Sequence, residues 1–300
     1  MSKITQVLMS SISKTKFSRV YGWKRDKPDS RDFKFKVVHN PKILTYPSLF
    51  DLRTQCQVPE VYDQGQLGSC TANGIVFCYH FDEYKQNNKV KFMGSRLFLY
   101  YNERDMEGTT GQDSGASIRD GVKSINSIGL CSEDEWPYDI SEFTSKPPQK
   151  CYDMAENCKS LLYSSVGQTI NDVKQAVCNG YPIVFGFDVY SSFETDTVES
   201  SGIAPMPDIS KEQLLGGHCV VIVGYDDSIT IPNTKNLGAF ICRNSWGTSW
   251  GKNGYFYLSY DYINSSLSSD YWIITSISDP ENIPQSTINN WSDYVKCSLL

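Results

Sequence analysis

Gln64-Gly65-Gln66-Leu67-Gly68-Ser69-Cys70-Thr71-Ala72 sets a cysteine where a glycine-rich turn enters a helix. Ala72, Ile75, Val76 and Tyr79 recur at three-to-four spacing, with Glu83 and Lys85 on the polar side. This predicts a helix of about four turns, ended by Asn87-Asn88. A thiol at that point meets the positive end of the helix dipole and backbone N–H groups that lack intrahelical partners, both of which favour the thiolate. The thiolate is the attacking form. Upstream, the Gln64 side-chain amide is able to reach an oxyanion formed beside the Cys70 backbone N–H. A buried structural thiol is the ordinary state of a lone cysteine and is the reading for Cys78, Cys131 and Cys178. The turn and Gln64 set Cys70 apart.

A thiolate nucleophile needs a partner that later protonates the leaving amine, and imidazole is the side chain matched to neutral pH. The chain has three histidines. His39 lies in an irregular, basic stretch where a solvated ring is expected. His80 sits ten residues along the predicted helix, about 15 Å of rise from Cys70, which is too far to serve it. His218 opens an apolar strand after Gly216-Gly217 and is the base by elimination. The ring must be held by its second nitrogen. Asn244, in Arg243-Asn244-Ser245-Trp246-Gly247 just after another strand, is able to accept that bond while Trp246 excludes water.

Working outward, further helices are predicted near Ser95 to Glu103 and Ser117 to Ser127, the latter closed by Gly129. Past Leu161 the pattern becomes short apolar runs bounded by Gly, Pro and Asn: Pro182 to Val189, His218 to Tyr225, Ala239 to Cys242, Tyr255 to Ser259 and Tyr271 to Ile274. These read as strands of a buried or barrel-like sheet. A helical lobe followed by a β lobe leaves a cleft between them, where sites commonly lie. With 40% apolar and 13% aromatic residues in 300, the chain has a sizeable core to bury. Its apolar runs are far shorter than the roughly 20 residues that span a bilayer, so no membrane partner is expected.

Charge divides the chain. Residues 1–45 carry 11 Lys and Arg against 3 Asp and Glu, net +8, and the remainder is net −14. The basic arm is expected to be irregular as far as Leu44. It reads either as a segment that lies on the acidic body and is later removed or as a solvated tail. Nucleic-acid binding is not expected, since the arm carries no binding motif. The first 20 residues lack a signal-peptide core, which favours an intracellular setting. Ten cysteines show no zinc-ligand spacing, and a chain of this size does not need disulfide staples.

Several separated stretches resemble the papain-like cysteine peptidases: Pro47-Ser48-Leu49-Phe50-Asp51-Leu52-Arg53, Gln64 to Cys70, Gly217-His218-Cys219-Val220, and Asn244-Ser245-Trp246-Gly247 with Trp250-Gly251 and Gly254-Tyr255. The resemblance spans roughly residues 47 to 275. His218 follows Cys70 by 148 residues and Asn244 by 174, against about 130 to 150 for the family, so extra residues are expected near Asp226 to Asn236. The resemblance implies an α+β, papain-like two-lobe fold, a helical lobe and a β-barrel lobe with the active-site cleft between. The expected division is an arm at 1–46, a peptidase domain at 47–278 and a tail at 279–300.

The implied activity is a cysteine endopeptidase working through a thioester acyl-enzyme on protein or peptide substrates, with no cofactor and no metal. Catalytic Cys70, His218 and Asn244, oxyanion-hole Gln64 and substrate-binding Gly115 carry it. Leu67 and Gln112 stand where the family usually has a cysteine pair, which fits a disulfide-independent setting; secretion or packaging in a virion stays open. An acyl transferase using the same intermediate and a non-catalytic peptide binder are the alternatives. Subsite specificity and oligomeric state are not legible.

Overall fold

The computed structural model describes residues 19–35, 46–55, 58–90 and 92–278. Along the chain come β1 (Trp23–Lys24), β2 (Leu49–Asp51), α1 (Cys70–Asn87), α2 (Arg96–Met106), β3 (Ala116–Ser117), α3 (Ile118–Ser127) and α4 (Gln149–Ala155). They are followed by β4 (Ser160–Ser165), α5 (Ile170–Cys178), β5 (Ile183–Tyr190), α6 (Asp196–Ser201), β6 (Ile203–Ala204) and β7 (Leu214–Asp226), then β8 (Ala239–Arg243), β9 (Tyr255–Ser259), α7 (Tyr260–Ile263) and β10 (Ser268–Ile277). A helical lobe precedes a β lobe.

Helix α1 is buried on every side from Cys70 to Glu83, the position of a central helix rather than a surface one. It ends where Asn88 turns left-handed at φ 54° and its N–H bonds to the Tyr84 carbonyl, an arrangement asparagine tolerates. Ser95 caps α2 by accepting from the Phe98 N–H, and Ser117 caps α3 by accepting from the Asp120 N–H. His80 is enclosed within this lobe. The Gly94 N–H donates to its Nε2 at 2.8 Å and Nδ1 meets the Tyr62 hydroxyl at 2.9 Å. Burial pushes its pKa down to about 3, so it is a satisfied, neutral core residue.

The β lobe is an eight-stranded sheet in the order β4-β10-β5-β7-β8-β9-β6, with β2 added beside β7. Its hydrogen-bonded path is open among the described residues, with β4 and β6 at the ends. Strand β7 is the axis. It pairs antiparallel with β5 (Phe187 opposite His218) and with β8 (Val221 opposite Arg243), so His218 and Asn244 come from neighbouring strands. Helix α1 packs against β7 and β10, which brings its N-terminus to the start of β7.

The predicted strands and helices are present with ends shifted by a few residues. The sequence reading lacks the short strands β1, β2, β3 and β6, the short helices α4, α5, α6 and α7, and β4, whose Leu161 and Leu162 are 50% and 45% exposed and so break the apolar alternation. The arm also departs from expectation, since β1 pairs in parallel with β3 and Lys34 bridges to Ser165. Twelve residues separate β7 from β8, where extra chain was expected. No disulfide joins any two of the eight described cysteines. Cys56, Cys297, His39 and the tail at 279–300 lie outside the described residues.

Candidate active site

Cys70 is the first residue of α1 and is fully buried. Backbone N–H groups of Cys219, Gly22 and Thr71 face its sulfur; only that of Thr71 belongs to the helix N-terminus. Burial is the larger influence, and it pushes the thiol up to about 12 against those donors. The Cys219 N–H that reaches the sulfur belongs to the residue that follows His218 in β7. The His218 Nε2–H donates to Asn244 Oδ1 at 2.8 Å. That oxygen also accepts the Ser245 N–H at 2.8 Å, which fixes which end of the amide faces the ring. The other ring nitrogen, Nδ1, is buried with no hydrogen-bond partner among the described residues. It therefore carries a free lone pair. Trp246 stacks on the imidazole at 4.9 Å and 21°. Burial pushes His218 down to about 4, opposed by the Asn244 bond and assisted by the Arg19 charge.

Gln64 is held by three bonds that leave one donor for the cleft. Its Oε1 accepts from the Ser245 hydroxyl at 2.6 Å, and Nε2 donates to the Leu67 carbonyl at 2.9 Å. The remaining amide proton goes to the Val20 carbonyl at 3.1 Å. The backbone repeats the tie, the Gln64 N–H bonding to the Ser245 carbonyl at 2.9 Å. Gln64, Ser245, Asn244 and His218 thus form one hydrogen-bonded group. The turn before Cys70 is braced by Asp113, which accepts the Gly68 N–H and the Tyr100 hydroxyl. No cluster of metal-ligating residues occurs among the described residues.

Residues 46–274 match the family described as papain family cysteine protease. The chain belongs to the papain family of cysteine proteases. It is 43% identical over 285 residues to an uncharacterized peptidase C1-like protein of Acanthamoeba polyphaga mimivirus, covering 88% of this chain and 89% of that one. Among solved structures, xylellain, a cysteine protease from Xylella fastidiosa, is 38% identical with a TM-score of 0.77, covering 86% of this chain and 96% of that chain. The procathepsin B of Trypanosoma congolense shares the fold at 18% identity and a TM-score of 0.69, with 87% of each chain covered.

In this papain-family chain the cleft is filled by the chain's own arm. Arg19 lies over Trp246 at 4.7 Å, and Tyr21 meets the His218 ring edge-on at 5.8 Å while its hydroxyl bonds to Glu194. Gly22 passes over the turn so closely that a Cβ there would stand 1.7 Å from the Gly68 carbonyl oxygen. The Gly22 carbonyl accepts the Ala116 N–H at 2.8 Å. Trp23 is buried, with its ring where side chains of Gly186 and Gly217 would otherwise be. Beyond it Lys24 pairs with Glu107 at 2.6 Å and Arg25 with Asp188 at 2.7 Å.

Gly115, expected to bind substrate, lies beside this strand and contributes room: its own N–H goes to the Tyr100 hydroxyl at 3.1 Å, and a Cβ there would stand 2.0 Å from the Gly22 carbonyl oxygen. The main-chain bond to the arm comes from Ala116. The sequence reading missed Tyr21, Gly22 and Trp23, and Asp270 behind the indole. An aromatic-glycine-aromatic run inside a basic arm was the available signal.

Proposed function

We propose that the chain is a cysteine endopeptidase held closed by its own N-terminal arm. The observation that carries this reading is the one Gln64 amide proton not tied to the Leu67 carbonyl, which holds a peptide carbonyl of the arm, that of Val20, at 3.1 Å. A substrate carbonyl in that place would receive the Gln64 amide and the Cys70 backbone N–H as its oxygen becomes an oxyanion. His218 Nδ1 takes the thiol proton, and the sulfur attacks the carbonyl carbon. The imidazolium then protonates the departing amine, leaving a thioester that water hydrolyses with His218 again as base. Asn244 keeps the ring in the tautomer whose Nδ1 lone pair is free. The cleft is occupied on both sides of Cys70, by Arg19 and Tyr21 on one and by Trp23 to Asp26 on the other. This supports cleavage within a chain rather than at its end.

The arm resists cleavage because the sulfur faces the Gly22 N–H instead of a carbonyl carbon. Its presence also removes water, so thiol and imidazole are both neutral in the closed form. The test is labelling by a thiol-directed epoxide, with the adduct located by mass spectrometry. A Gly22→Ala chain, whose arm cannot seat, should label at Cys70 alone, and Gly22→Ala with His218→Ala should not. No labelling in Gly22→Ala, with the fold intact by circular dichroism, would leave a non-catalytic peptide binder.

A further inference from the structure

We infer that Tyr138 is a positioning residue for the oxyanion hole, its hydroxyl tying together the two ends of the turn that carries Gln64 and leads into Cys70. The inference rests on the peptidase reading and adds a residue that acts through Gln64 and Ser69. Tyr138 comes from the stretch between α3 and α4, far along the chain from the turn. Its O–H donates to the Gln64 carbonyl at 2.9 Å, and the same oxygen lies 2.5 Å from Ser69 Oγ. A phenol has one proton to give. With that proton on the Gln64 carbonyl, the Ser69 hydroxyl is the donor of the second bond. Ser69 Oγ in turn accepts from Asn73 Nδ2 at 3.1 Å. The bonds run in one direction, from Asn73 in α1 through Ser69 and Tyr138 to Gln64, an order in which each strengthens the next. Burial pushes the phenol up to about 12, so its proton stays in place through neutral pH.

What the tie controls is a distance. The two donors that would meet an oxyanion, the Gln64 side-chain amide and the Cys70 N–H, stand at opposite ends of the turn. Gly65, at φ +60°, and Gly68 make the turn's own backbone a poor ruler. Asp113 braces its middle at the Gly68 N–H, and Tyr138 joins its ends. Gln64 is already fixed to the β lobe through Ser245; Tyr138 supplies its bond to the helical lobe. The phenol ring is itself held. The Arg96 guanidinium stacks on it at 4.1 Å, pairs with Glu133 at 2.5 Å and reaches Asn73 Oδ1 at 3.3 Å. Two residues before Tyr138, the Trp136 carbonyl accepts the Ser95 hydroxyl at 2.6 Å, which anchors the stretch to the start of α2. Donors stabilise an oxyanion when they are fixed in advance, and a misplacement of about 1 Å costs on the order of 10²-fold in rate.

The test uses the full chain opened by Gly22→Ala, with and without Tyr138→Phe, which keeps the ring under Arg96 and removes the hydroxyl. The probes are a fluorogenic tripeptide amide and the aldehyde of the same tripeptide, chosen from a mixed set for protecting Cys70 from iodoacetamide. Cys70 alkylation by iodoacetamide, followed by mass spectrometry, is the control. The sulfur adds to the aldehyde carbon and leaves that carbon's oxygen in the hole, whereas alkylation displaces iodide and forms no oxyanion. Tyr138→Phe should lower kcat by about 10- to 100-fold with KM within about twofold, weaken the aldehyde by the same factor, and leave the alkylation rate within about twofold. An unchanged kcat would overturn the inference. So would alkylation that falls in step with kcat, since Tyr138 would then act on the thiol or on the fold. Should Tyr138→Phe fail to fold, Ser69→Ala cuts the other end of the tie and should show the same pattern at smaller size; unchanged kcat and aldehyde affinity there would overturn the inference. Failure of the Gly22→Ala chain to cleave the amide would count against the peptidase reading. The aldehyde would still decide the tie, equal affinity with and without Tyr138→Phe counting against it.

Discussion

At the scale of single residues, the closed state turns on one missing methyl group. Gly22 can cross the turn only because nothing projects from its Cα toward Gly68, where 1.7 Å separates an added Cβ from a backbone oxygen. Backbone cannot yield as a flexible side chain does, so Gly22→Ala must lift the arm. Cys70 alkylation should rise at least about 10-fold in that variant, with a fall in thermal stability because the buried Trp23 leaves the core with the arm. An unchanged rate would mean the arm does not seat as described. Within the opened Gly22→Ala chain, Asn244→Ala would strand the His218 Nε2–H and release the ring. The expected result is a fall in kcat on the order of 10²-fold with KM nearly constant, the effect of losing orientation rather than binding. A matching rise in KM would assign Asn244 to substrate contact instead.

At the scale of elements, neighbouring strands explain why the site was legible and its occupant was not. Cys70, His218 and Asn244 each sit where a sequence pattern changes: turn to helix, Gly-Gly to apolar strand, strand to Asn-Ser turn. Those boundaries are local, and local signals survive in a sequence. The seat for Trp23 is different. It depends on Gly186 from β5, Gly217 from β7 and Asp270 from β10, three residues that only sheet pairing brings together. Asp270, one residue before the strand expected from Tyr271, carried no signal because its bulge is a tertiary effect. β4 was hidden for a related reason, its Leu161 and Leu162 facing outward against the usual alternation. Within the seat, Gly186→Ala would place a methyl 1.8 Å from the indole. Trp23 should be expelled and Cys70 alkylation should rise several-fold, while a second-site Trp23→Ala should restore no protection. Retained protection in Gly186→Ala would show that β5 shifts to keep the indole.

For the whole molecule, the described part of the arm, residues 19–35, carries six Lys and Arg against three Asp, yet the contact under the indole joins like charges. Asp26 of the arm and Asp270 of the body share a buried corner with the Trp272 Nε1–H, the Arg119 N–H and guanidinium, and the Arg25 charge. Burial, then the Asp270 charge, pushes Asp26 up to about 6, and burial raises Asp270 as well. The docked arm therefore holds protons more tightly than the free arm. Docking is strongest below the ordinary carboxylate range near 4 and weakens as pH climbs through about 6. Acid should tighten this latch and neutral pH should loosen it. Asp26→Asn imitates the protonated acid and removes the dependence. The ratio of Cys70 alkylation rates, native over Asp26→Asn, cancels the shared thiolate chemistry. It should lie near one below about pH 3.5 and rise at least on the order of 10-fold by about pH 7.5. A ratio that stays flat would show that the Asp26 corner does not govern the latch, and a ratio that falls would reverse the sign and make acid the trigger for opening.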